Sequence, residues 1–180
     1  MKKNYGRNSK KCPILKSNTG FTLVEILVVI GIIAIIVAVA IPNVTIWRQN
    51  AQLTGIARDI YGTLQKAKVE AIKRRENCVI TFGTDNYEVY VDANKNFVKD
   101  PGEEVIKTVF LSDYGQVMFD TSQGGGDGLT FGNPTNGIAF SSTGLPKSAA
   151  GVPTGSIFLK HLNNRTASID VSPSGSIRLN

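Results

Sequence analysis

Five oxygen-bearing side chains recur at regular spacing in one short stretch of the chain. Asp92, Asn94, Asn96, Asp100 and Glu103 stand at positions 1, 3, 5, 9 and 12 of a loop that starts at Asp92. A tight turn with that spacing brings alternate side chains onto one hard cation, so calcium is the metal the pattern fits. Two features oppose it. Phe97 stands at position 6, where the sharp turn favours glycine, and Val105–Leu111 reads as a strand rather than a second helix. An Asx-rich hairpin loop closed by Pro101-Gly102 is the plainer expectation. Calcium stays as the alternative.

Other reactive residue types are sparse. The single histidine, His161, has no nearby Cys, Ser or Asp pattern in sequence and is expected at a strand end in a surface or packing role. Glu103 and Glu104 are adjacent, so they alternate faces in an extended chain and poorly suit a shared acid/base site. Gly124-Gly125-Gly126-Asp127-Gly128 lacks the Lys-Ser/Thr continuation of a phosphate-binding loop and reads as a flexible loop. Cys78 lies in NCVITF and is expected to pack as a buried strand thiol; Cys12 lies near the N-terminus. No catalytic constellation emerges, and the expectation is a protein that is not an enzyme.

The elements that position these residues begin with a long apolar run. Ile26 to Ile41 carries no polar side chain, and from Phe21 the stretch is 21 residues long. As a helix that is about 31 Å, close to the hydrocarbon thickness of a bilayer. A helix apolar all round needs a large protein or a membrane to cover it, and 180 residues supply too little protein. Six basic residues precede it (Lys2, Lys3, Arg7, Lys10, Lys11, Lys16) with no acid, which keeps that end cytoplasmic and sends the rest outward. An ordinary signal peptide shares the basic start and apolar core, with Ala38–Ala40 as a loose cleavage site. The long basic segment and the charge of Glu25 argue against it. A carboxylate at the mouth of an apolar span is costly and marks a functional position in need of a partner. Pro42 then removes a helical hydrogen bond, and a kink or break is expected there.

Thr19-Gly20-Phe21-Thr22-Leu23-Val24-Glu25, followed by the apolar run, resembles the type III signal of type IV pilins and pseudopilins. The resemblance implies removal of residues 1–20 by prepilin peptidase between Gly20 and Phe21, then N-methylation of Phe21. It also implies that the Phe21 amine of one subunit pairs with Glu25 of a neighbour, which makes Glu25 an assembly residue. Ala67–Arg75, AKVEAIKRR, resembles a helix end in the GspH/FimT group of minor pseudopilins and pilins, and the Asp92 segment resembles an inter-strand loop of that group. A location in the bacterial inner membrane follows, single-pass, with the C-terminal head in the periplasm. Other pilin or pseudopilin subunits are the implied partners.

From Trp47 to about Glu76 the pattern is helical, with Leu53, Ala57, Ile60, Leu64, Ala67 and Ala71 forming one stripe. After Glu76, β-rich runs alternate with turn signals, and strands are expected at Cys78–Phe82, Tyr87–Val91, Val105–Leu111, Val117–Phe119, Ile138–Phe140, Ser156–Leu162, Thr166–Val171 and Ile177–Leu179. The expected organisation is a leader (1–20), a transmembrane and assembly helix (21–41), an amphipathic helix (42–76) and a β-rich head (77–180). In fold class this is α+β and pilin-like: a long N-terminal helix packed on an antiparallel β-sheet head.

Two functions compete. The first is a minor pseudopilin or minor pilin that assembles into, or primes, a type II secretion pseudopilus or a type IV pilus. The second is a minor pilin that captures DNA. The formal charge of +6 offers the second no support, because the six N-terminal cations account for all of it. Its support is local: residues 129–180 carry Lys147, Lys160, Arg165 and Arg178 against Asp170 alone, and Lys160, Arg165 and Arg178 are the candidate nucleic-acid contacts.

Overall fold

The computed structural model describes residues 20–131, 136–147 and 154–180. Apart from Gly20, the leader expected over 1–20 lies outside the described residues. Helix α1 runs Leu23–Arg74. Thr22 starts it: its Oγ1 accepts from the Glu25 N–H at 3.2 Å and its carbonyl accepts from Ile26 N–H at 3.2 Å. Thr-x-x-Glu is the sequence of a capping box, and an acid in the first turn also faces the positive end of the helix dipole.

The break expected at Pro42 is absent, and the helical backbone continues through it. A missing N–H costs one hydrogen bond, which a helix of 52 residues tolerates when its neighbours stay bonded. The chain divides into two compact units at this point, one ending at Pro42 and one spanning Asn43–Asn180. In the first, the described helical residues from Leu23 to Ile41 are exposed, and the segment is long and apolar enough to cross a membrane.

In the second unit the helix ends at Arg74, two residues before the expected Glu76. Arg75 takes a left-handed φ of 60°, the conformation that commonly stops a helix. The expected stripe is buried throughout, and Ile56, which the spacing left out, is buried with it. Among the described residues nine strands follow: β1 (Asn77–Phe82), β2 (Asn86–Asp92), β3 (Val105–Phe110), β4 (Val117–Phe119), β5 (Gly137–Phe140), β6 (Pro146–Lys147), β7 (Gly155–His161), β8 (Thr166–Val171) and β9 (Ile177–Leu179). They form two antiparallel sheets, ordered β3-β2-β1-β5-β6 and β4-β7-β8-β9.

Strand alternation builds the core. Tyr87, Val89 and Val91 of β2 join the main cluster with Ile157, Leu159, Ile169 and the helix stripe. Val79, Tyr90 and Ala139 face the other way and form a second cluster, against which Phe97 packs. The loop after β2 therefore folds back over the outer face of the first sheet. The glycine segment Gly124–Gly128 closes a wide turn in which Gly128 N–H donates to the Gln123 carbonyl at 3.2 Å. A Cβ at Gly124, where φ is 66°, would run into the Leu129 backbone, so side chains are excluded there.

Candidate functional site

At the start of α1, Phe21 is 77% exposed and Glu25 is exposed in the first turn. Among the described residues the Glu25 carboxylate has no ion-pair partner. The cap of Thr22 fixes the backbone at Glu25 and leaves its carboxylate to the surroundings. Gly20, which the cleavage reading places before the scissile bond, precedes the helix and is exposed.

The Asp92 loop is bonded to itself. Asp92 is fully buried; its Oδ1 accepts from Asn96 N–H and its Oδ2 from Phe97 N–H, both at 3.1 Å. Asn94 and Asn96 donate side-chain N–H groups to Asp100 Oδ2 at 2.6 and 2.7 Å. Glu103 accepts from Ala93 N–H at 3.2 Å and from Asp100 N–H at 3.0 Å. All five expected residues are brought together, and what meets these oxygens is N–H donors. Among the described residues no group of three or more His, Cys, Asp or Glu side chains is gathered for a metal. Phe97 adopts the φ of 65° that glycine would take at its position. Its compensation is contact: the ring packs on Val79, Tyr90 and Ala139, and its carbonyl accepts from the Tyr90 hydroxyl at 3.1 Å. Burial, helped by the nearby Asp92 and Glu103 charges, pushes the Tyr90 hydroxyl pKa up.

Lys160, Arg165 and Arg178 belong to the second sheet and its turns. Lys160 lies opposite Thr166, and Arg178 opposite Asp170. Those two positions are four residue steps apart on β8, about 13 Å along a strand. The one acid of the region thus stands directly across from Arg178, while Arg165 lies at the exposed turn between β7 and β8. The expected trio is split, with Lys160 and Arg165 near one end of the sheet and Arg178 opposite Asp170, whose carboxylate accepts from Asn180 Nδ2 at 2.7 Å.

The family pattern described as type II transport protein GspH matches residues 57–175, about two thirds of the sequence. The chain belongs to the GspH family. A prokaryotic N-terminal methylation motif also matches, over residues 15–41. The pilin-like protein PilA1 of Thermus thermophilus is 35% identical over 94 residues, covering 51% of this chain. The chain spans about 59% of the length of that curated relative. The structure of the minor pseudopilin EpsH from the type 2 secretion system of Vibrio cholerae superposes with a TM-score of 0.52 at 14% identity. That match covers 72% of this chain and 96% of EpsH, and it shows a shared fold. The chain is thus a pilin-like α+β protein with a long N-terminal helix packed on antiparallel strands.

In this GspH-family chain the sequence reading missed a polar cluster on the helix. Asp59 accepts from Tyr87 Oη at 2.6 Å and from Lys107 Nζ at 2.6 and 2.8 Å, and Lys107 also donates to Thr63 Oγ1 at 3.2 Å. The available signal was an acid and a threonine flanking the apolar stripe. His161 is buried; its Nε2 lies 3.2 Å from Gln52 Oε1, and its Nδ1 accepts from Asn163 N–H at 3.2 Å. That pattern assigns the ring to packing β7 against α1.

Proposed function

We propose that this chain is a minor pseudopilin or minor pilin that assembles into, or primes, a type II secretion pseudopilus or a type IV pilus. The observation that carries the reading is the N-terminal helix itself, whose apolar side chains are exposed from Phe21 to Ile41 behind an exposed acid. Lipid covers such a surface before assembly, and the same surface on other subunits covers it afterwards. Prepilin peptidase frees Phe21 by cutting after Gly20, the new amine is methylated, and the head stands in the periplasm. The Phe21 amine of an incoming subunit pairs with Glu25 of a neighbour. In a low-dielectric surrounding each charge removes the cost of leaving the other unpaired, so the pair sets register. The role is structural rather than catalytic, which accords with a histidine engaged in packing.

The test compares culture-supernatant proteins from wild type, a deletion strain, and the deletion strain carrying wild-type or Glu25→Ala protein. Loss of a defined set of exported proteins, restored by wild type alone, is the expected result for a secretion pseudopilus. An unchanged supernatant with the protein expressed moves the assignment to a pilus. Normal incorporation of Glu25→Ala into filaments removes Glu25 from assembly.

A further inference from the structure

We propose that the start of α1 in the head and the β7–β8 turn together form a seat for the anionic lipid surface. At the start of the second unit, Val44, Ile46 and Arg48 are exposed and Trp47 is 71% exposed. The turn Leu162-Asn163-Asn164-Arg165 presents a fourth apolar side chain, with Leu162 at 59% exposure, beside a second cation. The turn is tied to this part of the helix. Asn163 Nδ2 donates to Gln49 Oε1 at 3.1 Å, and His161 meets Gln52 one turn further on. Asn164 adopts a φ of 64°, which gives the turn a tight reversal. Four exposed apolar side chains and two arginines therefore belong to two segments of the head that side-chain hydrogen bonds hold together.

A lipid headgroup layer matches that chemistry better than water or protein alone. Tryptophan favours the membrane–water interface, where an apolar ring with one N–H donor is satisfied, and arginine pairs with lipid phosphates. Position along the chain agrees. This step rests on the reading of residues 21–41 as a membrane span. Trp47 follows Ile41, the last residue of that apolar run, by six positions in the sequence, where a chain leaving a bilayer meets the headgroups. Arg165 thereby gains a partner that the split arrangement of Lys160, Arg165 and Arg178 does not offer to nucleic acid.

Trp47 is the single tryptophan, so it reports its own depth. The full chain is reconstituted into vesicles of phosphatidylglycerol and phosphatidylcholine, and emission is measured with lipids brominated near the headgroup or deep in the acyl chain. Flotation of the chain with the vesicles checks the span separately. Trp47 is expected to be quenched more by shallow than by deep bromines. The decisive arm is the variant W47F/L162W, which moves the probe to the turn; both positions are exposed, and a melting curve matching wild type establishes that the fold is kept. Its fluorescence is expected to be quenched by shallow bromines when phosphatidylglycerol is present. Adding R48Q and R165Q is expected to weaken that seating about fivefold per arginine removed. A chain that floats while the probe at 162 stays unquenched overturns the seat and leaves the span standing. Failure to float overturns both. An unquenched probe whose emission shifts on adding duplex DNA hands Arg165 to nucleic acid instead.

Discussion

The Tyr87 hydroxyl donates to Asp59 Oδ2 at 2.6 Å and ties β2 to the middle of the helix. Lys107 of β3 reaches the same carboxylate, so three elements converge on one acid. Burial alone would raise the Asp59 pKa. The hydrogen bonds from Lys107 and Tyr87 outweigh it and hold the carboxyl below its ordinary value.

Asp59→Asn removes the charge that Lys107 neutralises. Both side chains keep about a quarter to a third of their exposure, so solvent screens the pair, and a loss of about 1–2 kcal/mol at neutral pH is expected. Because the folded pKa lies below the unfolded one, the stabilisation is complete above the unfolded pKa and fades as pH falls through the folded value. Urea midpoints of wild type and variant in detergent micelles should differ at neutral pH and converge between about pH 5 and pH 2. A gap that stays constant down to the acid limit excludes the Asp59 charge as its source.

The Asp92 carboxylate satisfies two backbone N–H groups inside a buried site. Asp92→Ala orphans the Phe97 N–H, while Asn96 N–H keeps a second acceptor, Asn94 Oδ1 at 3.2 Å; one unsatisfied buried group costs about 1–3 kcal/mol. A drop of about 1–3 kcal/mol is expected by chemical denaturation, since part of the loop can open to water. Asp92→Asn keeps one acceptor and is expected to fall between. Because N–H donors meet these oxygens, millimolar calcium is expected to leave the wild-type melting temperature where it is. A calcium-dependent rise in wild type that Asp92→Ala abolishes would assign the loop to the metal.

Arg75 ends α1 at a φ of 60°, where a side chain crowds its own backbone by about 1–2 kcal/mol. Arg75→Gly removes that strain, although glycine also has more freedom to lose on folding. A net gain of about 0.5–1 kcal/mol is expected. Thermal melts of the two proteins read it directly, and a loss of stability in Arg75→Gly would mean that the arginine side chain contributes contacts larger than the strain.

Much of this was legible because the signals are local. An apolar run, a threonine three residues before an acid, and a stripe from Leu53 to Ala71 each depend on neighbours along the chain, and the strands at Thr166–Val171 and Ile177–Leu179 fell where alternation put them. The two-sheet arrangement was not legible, since it depends on β4 pairing with β7 across the intervening β5 and β6. The Asp59–Lys107 contact joins residues 48 positions apart, and no periodicity encodes it. At Asp92 the spacing correctly gathered five side chains. Spacing alone does not distinguish a cation from a set of N–H donors, and Phe97 at the glycine position was the clue that the loop packs over a sheet.

Cys78 is a free, fully buried thiol in β1. Burial is the main reason its pKa is pushed up to about 11, against an ordinary value of 9.0. Near neutral pH that leaves about a hundredfold less thiolate than an exposed cysteine has, and the thiolate is the species that reacts. Steric protection adds to this, so labelling proceeds through opening of the head. In a Cys12→Ser background, to remove the other thiol, maleimide labelling of the folded protein is expected to be at least about a hundredfold slower than in urea. It should accelerate in Asp59→Asn in proportion to that variant's loss of stability, because the head opens more often. Equal labelling rates in the two folded proteins would place the Cys78 opening in a local motion of β1, independent of the helix contact at Asp59.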